Sequence, residues 1–133
     1  MKLTRHRREQ RIGTVKFESA RSPEGVARLW ARDQNALACS LGAVHAHDRQ
    51  VQMIMARIVG QGRISECLVD NDTSFEIDIF MRSMGFRRQA ERQVAELNAD
   101  TRLFAEAYAA GVYHIIQTEG RPLELRLVGH RPE

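Results

Sequence analysis

Long apolar runs are missing from this chain. No stretch of about 18 apolar residues occurs in its 133 residues, so no segment has the length and apolarity of a membrane-crossing helix. Cysteine is nearly as scarce: Cys39 and Cys67 stand alone, neither in a CxxC pair, which excludes a disulfide scaffold and a thiolate metal site. Their apolar neighbours suit buried free thiols. The five histidines form no metal framework either. His45 and His47 are two residues apart and face different sides of a helix, whereas chelation needs an i, i+4 pair. None of Ser19, Ser22, Ser40, Ser65, Ser74 or Ser83 sits in a GxSxG turn, and no glycine-rich phosphate loop occurs. The opening MKLTRHRREQRIG has the charges of a signal n-region without the apolar segment that should follow. The expected location is therefore cytoplasmic, or periplasmic if a precursor start precedes Met1.

What is present suits a single globular domain. The chain is 43% hydrophobic and 28% charged, ordinary values that argue against wholesale disorder. The net charge of +3 is unevenly spread: Lys2, Arg5, Arg7, Arg8 and Arg11 against Glu9 give the first eleven residues +4, leaving the other 122 at −1. Residues 1–11 thus form a basic N-terminal arm and 12–133 a near-neutral domain. A phosphate-binding role would have to reside in the arm, and a solvated or partner-bound arm is the simpler reading, so no nucleic-acid partner is expected.

Ile12 to Glu18 alternates as a strand, Ser19 to Gly25 is turn chemistry, and Val26 to Ala31 is a second strand, giving an N-terminal hairpin. Trp30, the only tryptophan, is expected to pack between hairpin and helices. Asp33 caps a helix beginning at Gln34. From His47 the pattern sharpens: Val51, Ile54, Met55, Ile58 and Val59 make one apolar stripe on a helix that ends at Gly60 or Gly62. Leu68 to Ser74 reads as a loop. Its Asp70, Asp72 and Ser74 imitate the first ligands of a calcium loop, but Phe75 and Met81 occupy the positions that need Gly and Glu, so turn and cap chemistry explains them and no metal site is expected. Phe75 to Met84 is a short helix with Phe75, Ile79 and Phe80 inward, broken by Gly85. Phe86 to Leu97 is a charged amphipathic helix. A further helix over about 102–119 places Leu103, Phe104, Ala107, Tyr108, Gly111 and Ile115 at helical spacing, Gly120-Arg121-Pro122 stops it, and Leu123 to Val128 alternates as a terminal strand. Read from these residues alone, the chain is an α-rich domain without an active site. His47, Asp48 and Arg49 are a charge-dense cluster beside the apolar stripe, and a structural role suits them better than catalysis.

The same central stretch carries a resemblance. Gly42 through Arg49 with Gln52, Met53 and Arg57, then Gly62 to Glu66, resembles the pattern Gly-Tyr-x-x-Ala-Gln-Asp-Arg-Leu-x-Gln-Met, x-x-x-Arg, Gly-x-x-Ala-Glu of the penicillin acylase family of N-terminal-nucleophile hydrolases. Asp78, Arg82 and Gly85 are similar to its D-x-x-x-R-x-x-G, Ala107 to Val112 to its A-Y-x-x-G-V-N, and Pro122-Leu123-Glu124-Leu125 with Gly129 to Glu133 to its P-x-E-F and G-x-x-P-E-x-W. Gly25 to Leu29 stands where G-V-P-H-I is usual. His47 replaces a Gln and Tyr113 an Asn.

The resemblance implies an α+β fold: a mostly helical α chain with a short N-terminal hairpin, wrapping a larger β chain of an αββα hydrolase. Both chains would come from one zymogen by autoproteolysis. The nucleophile, Ser or else Cys or Thr, would be the first residue of the β chain, so no catalytic residue is expected here, and no substrate contact is assigned to a numbered position. His47, Asp48, Arg49, Gln52 and Glu66 are then structural motif residues. The implied substrate is a small N-acylated amide, such as an acyl-homoserine lactone or a β-lactam with its side chain, with no membrane partner. No cofactor is required; a structural calcium ion is compatible with the family and is not expected from this chain. The alternative is a non-enzymatic helical interaction module whose basic arm binds nucleic acid or an acidic partner.

Overall fold

The computed structural model describes residues 7–120 and 122–127 and divides the chain into two compact units, each assembled from two stretches of sequence. Of the described residues, one takes 7–48 and 99–119, the other 49–98, 120 and 122–127.

The first unit opens with an antiparallel sheet in the order β1 (Arg8–Ile12), β2 (Val15–Arg21), β3 (Ala27–Ala31), one strand more than the expected hairpin. The extra strand is built from the basic arm. Arg8 pairs with Ser19 and Ile12 with Val15 across a two-residue turn, where Gly13 adopts φ 57°, the left-handed region that tight hairpin turns favour. β1 escapes a periodicity search because four of its five side chains are exposed. Its backbone ladder, not burial, specifies it. β2 continues to Arg21, and the turn contracts to Ser22–Val26, closed by Ser22 N–H to the Val26 carbonyl (2.9 Å) and Gly25 N–H to the Ser22 carbonyl (2.9 Å). The Arg7 guanidinium stands 4.2 Å from the Trp30 ring centroid, so one face of that ring carries a cation.

α1 (Gln34–Gln61) begins where expected: the Ala36 amide donates to Asp33 Oδ1 at 2.8 Å. Its first part buries small side chains, among them Ala38, Cys39, Ser40, Ala43 and Ala46. That small-residue face lets the backbone of α5 (Ala99–Glu119) approach closely. A Cβ on Gly42 would overlap the Tyr108 carbonyl, and one on Gly111 would overlap the Cys39 carbonyl and lie 2.9 Å from the Ala43 amide. Only glycine fits at either crossing point. α5 starts three residues earlier than expected, and of the residues at helical spacing Gly111 is buried while Leu103 and Phe104 are exposed. Cys39 is a free, buried thiol, and burial pushes its pKa up.

Inside α1 the backbone leaves helical geometry at Arg49 (φ −136°, ψ 25°), where the second unit begins. The apolar stripe then does what its spacing predicts: Ile54 and Ile58 are buried with Leu125, and Ile64, Cys67 and Leu68 pack against them. Gly62 (φ 64°) ends α1 in a Schellman motif, its amide donating to the Val59 carbonyl (2.9 Å) and the Arg63 amide to the Ile58 carbonyl (3.1 Å). A one-turn helix, α2 (Ile64–Cys67), follows. The expected loop then shortens, because Asn71 accepts from the Ser74 amide (2.8 Å) and starts α3 (Asp72–Met84) three residues before Phe75.

α3 corrects the sequence reading most sharply. Phe75, Ile79 and Phe80, expected inward, are exposed, and the buried side chains are the polar Ser74 and Asp78. α4 (Phe86–Glu96) matches its expected span. The terminal strand expected over Leu123 to Val128 is instead a helix, α6 (Leu123–Leu127), in which the Arg126 amide donates to the Pro122 carbonyl at 3.1 Å. Leu123 and Leu127 are exposed and only Leu125 points inward, so the alternation that suggested a strand buries one residue. Gly129 to Glu133 lie outside the described residues.

The α1–α5 contact is testable. Gly111→Ala forces two backbones apart and is expected to lower stability by about 1–3 kcal/mol or more, read as a fall in the thermal midpoint, whereas Ala110→Gly, on an exposed α5 position, costs about 1 kcal/mol or less. Equal effects would remove the close-approach account.

Candidate functional site

The motif residues gather at separate places within the two units. In the first, His47 Nδ1 lies 2.7 and 2.9 Å from the Glu119 carboxylate oxygens, and the Arg21 guanidinium pairs with Asp48 at 2.5 Å. His45 Nδ1 is 3.0 Å from the Tyr108 hydroxyl, the two rings meeting edge to face. His47 and Glu119 line one end of a cleft of about 620 Å³ between the sheet, α1 and α5. The adjacent His47 and Asp48 thus tie α1 to α5 and to β2. Glu119 and Arg21 carry half of each pair. Nothing in the sequence singles them out, since their partners lie 72 and 27 residues away.

In the second unit Arg49 is the non-helical residue of α1, Gln50 donates to the Gly120 carbonyl (3.2 Å), Gln52 is exposed, and Glu66 pairs with Arg63. The hydrogen bond from Arg63 is the main influence holding the Glu66 carboxyl below its usual range. Of the five motif residues, His47 and Asp48 belong to the first unit and Arg49, Gln52 and Glu66 to the second.

The best-built polar centre is Asp78, with 3% of its surface exposed. Its Oδ1 accepts from the Ile64 amide (2.7 Å), and its Oδ2 from the Ser65 amide (2.9 Å) and the Ser65 hydroxyl (2.6 Å). Arg82, one turn along α3, donates Nε to the Gly62 carbonyl at 2.7 Å. The aspartate and arginine of the D-x-x-x-R motif thus bind the chain that follows α1, the acid through its amides and the base through its carbonyl. A side chain at Gly62 has no room, since a Cβ there would lie 2.7 Å from both the Asp78 carbonyl and Arg82 Cγ. Gly85 completes the motif by ending α3 with φ 71°. Burial works against the Asp78 charge, but the Ser65 and Ile64 hydrogen bonds and the Arg82 cation hold its carboxyl below the ordinary value.

Ser40 and Ser83 donate to backbone carbonyls and Ser65 to Asp78, and among the described residues no serine hydroxyl is hydrogen-bonded to a histidine. No group of three or more His, Cys, Asp or Glu able to hold a metal occurs among the described residues.

Comparison with known proteins gives the same motifs a family. Residues 19–133 match the sequence model of the penicillin amidase family, and the chain belongs to that family. Over 96 residues, 71% of the chain, it is 38% identical to the acyl-homoserine lactone acylase QuiP of Pseudomonas aeruginosa, covering 11% of that protein. Over 110 residues, 82% of the chain, it is 32% identical to the penicillin acylase 2 proenzyme of Pseudomonas sp. strain SE83, covering 14% of it. The chain thus spans about a tenth to a seventh of these relatives. Among solved structures, a thermostable penicillin G acylase from Alcaligenes faecalis superposes with a TM-score of 0.74 and 27% identity, over 88% of this chain and 64% of that one.

The Asp78 network sets an acid limit on stability. Because folding lowers the Asp78 pKa, its contribution is complete above the ordinary value of 3.8 and is lost as pH falls through the lower folded value. Asp78→Ala leaves two amides and a hydroxyl without their acceptor and is expected to cost about 3 kcal/mol near neutral pH. Melts of wild type and variant from neutral to acidic pH should converge as the carboxyl protonates; a constant gap would count against the carboxylate's role.

Proposed function

We propose that this chain is the α-chain part of an amidohydrolase that cleaves an N-acyl amide to a carboxylate and an amine. The nucleophile is the first residue of a separate, larger β chain, Ser or less commonly Cys or Thr, freed by autoproteolysis of a common precursor. Its own α-amino group takes the hydroxyl proton, the oxygen attacks the acyl carbonyl, and the amine leaves with a proton; water then releases the carboxylate from the acyl-enzyme. An amine base and a hydroxyl nucleophile need no metal for the chemical step. The acylated amine we favour is an acyl-homoserine lactone, by analogy with the named activity of the Pseudomonas aeruginosa relative. In this reading His47, Asp48 and Arg49 position α1 and do no chemistry.

The observation that carries the proposal is the apolar surface left uncovered in a chain of this family. Phe75, Ile79 and Phe80 of α3, Phe86 and Val94 of α4, and Leu103 of α5 are all about half exposed, between 48% and 59%. Large apolar side chains in that number suit the interface of an obligate complex better than a free surface.

Native purification tests it. The 15.2 kDa chain should co-purify with a larger chain whose N-terminal residue is Ser, Cys or Thr. The complex should release homoserine lactone from its N-acyl derivative, and replacing that first residue by Ala should abolish release. A lone, well-folded 15.2 kDa monomer with a sharp cooperative melt would contradict the proposal.

A further inference from the structure

In the second unit, the end of α1, α2 and the turn between α3 and α4 enclose a cleft of about 600 Å³. Four guanidiniums line it, those of Arg63, Arg82, Arg87 and Arg88, against two carboxylates, Glu66 and Glu91. Both carboxylates are engaged, Glu66 by Arg63 at 2.7 Å and Glu91 by Arg87 at 3.0 Å. Arg82 is balanced in part by the buried Asp78 carboxylate one turn before it, so the positive charge left over in the cleft rests mainly on Arg88. Arg82 spends only its Nε, on the Gly62 carbonyl, so its two terminal nitrogens have no hydrogen-bond partner among the described residues, and Arg88 has none at any nitrogen.

Both side chains rest on glycine. An added Cβ at Gly62 would lie 2.7 Å from Arg82 Cγ, and one at Gly85 would lie 3.0 Å from an Arg88 terminal nitrogen. Both glycines are in the left-handed region, at φ 64° and 71°. The two turns that end α1 and α3 therefore also make room for the two guanidiniums. Paired planar donors around an open space match the two oxygens of a carboxylate.

We propose that this cleft receives an aspartate or glutamate side chain of the β chain, bound by Arg82 and Arg88; this rests on the two-chain reading above. Two observations favour a protein carboxylate over a free anion. Met84 and Phe86, on either side of Gly85, are 54% and 48% exposed and call for a covering surface that a small ion does not supply. The chain also covers only 11% of its acylase relative, so most of a protein of that size lies outside it.

The purified two-chain protein carrying Arg88→Lys, treated with a carbodiimide that joins amines to touching carboxylates, should yield an amide between Lys at that position and an Asp or Glu of the larger chain, identified by peptide mapping. In parallel, Arg88→Gln should raise the subunit dissociation constant about tenfold or more, an effect that shrinks at high salt. Cross-links confined to Glu66 or Glu91, or a dissociation constant within about twofold of wild type, overturn the proposal. So does a free anion as occupant, which would appear as acetate raising the melting midpoint of wild type and not of Arg88→Gln while subunit affinity stays equal. A preparation with no larger chain at all sinks the acylase reading instead, which keeps the two failures apart.

Discussion

Two helix backbones in contact set the terms for the first unit. Gly42 of α1 lies against the Tyr108 carbonyl of α5, and Gly111 of α5 against the Cys39 carbonyl and Ala43 amide of α1. Such an approach requires small side chains on both sides of each crossing point, and Ala38, Cys39, Ala43 and Ala46 supply them. It also fixes the register of the two helices, because any sliding would drive a Cβ into a backbone. With the register fixed, His45 meets the Tyr108 hydroxyl and His47 meets Glu119. These polar pairs are consequences of the close packing and are too exposed to be its cause.

The second unit is held on a different principle. Its apolar centre is small, Ile54, Ile58 and Leu125, and a buried carboxylate takes over where side-chain volume runs out. Asp78 serves as a cap supplied from a distance: it accepts from the amides of Ile64 and Ser65 as a residue at a helix start would, but from 13 and 14 positions away. The aspartate, the arginine one turn later and the glycine at the helix end each have a backbone task in this chain. Asp78 and Arg82 satisfy the backbone of the reversal after α1, and Gly85 lets α3 turn into α4.

Much of this was legible in the sequence. The Asp33 cap, the stripe from Val51 to Val59, the stop at Gly62 and the charged span of α4 obey local rules that need no tertiary information, and the structure follows them. The family resemblance, built on short motifs, agrees with the match over residues 19–133. The failures have separate physical sources. Assigning Phe75, Ile79 and Phe80 to the interior assumes that a chain buries its own apolar residues. β1 fails in the opposite sense, being a strand of charged residues specified by backbone pairing. The pairs made by Glu119 and Arg21 join distant positions, which one sequence cannot reveal. Asp78 and Arg82 were visible as a motif, but the buried network they form was not.

Each unit is discontinuous in sequence, and the boundary falls inside α1, between Asp48 and Arg49. Neither unit can be cut out with a single excision. During synthesis the sheet and the first half of α1 must wait for α5, which arrives only after about fifty residues of the other unit have emerged. In that interval the small-residue face of α1 has no α5 backbone to rest on. The order in which the chain is made is therefore out of step with the order in which its parts can pack.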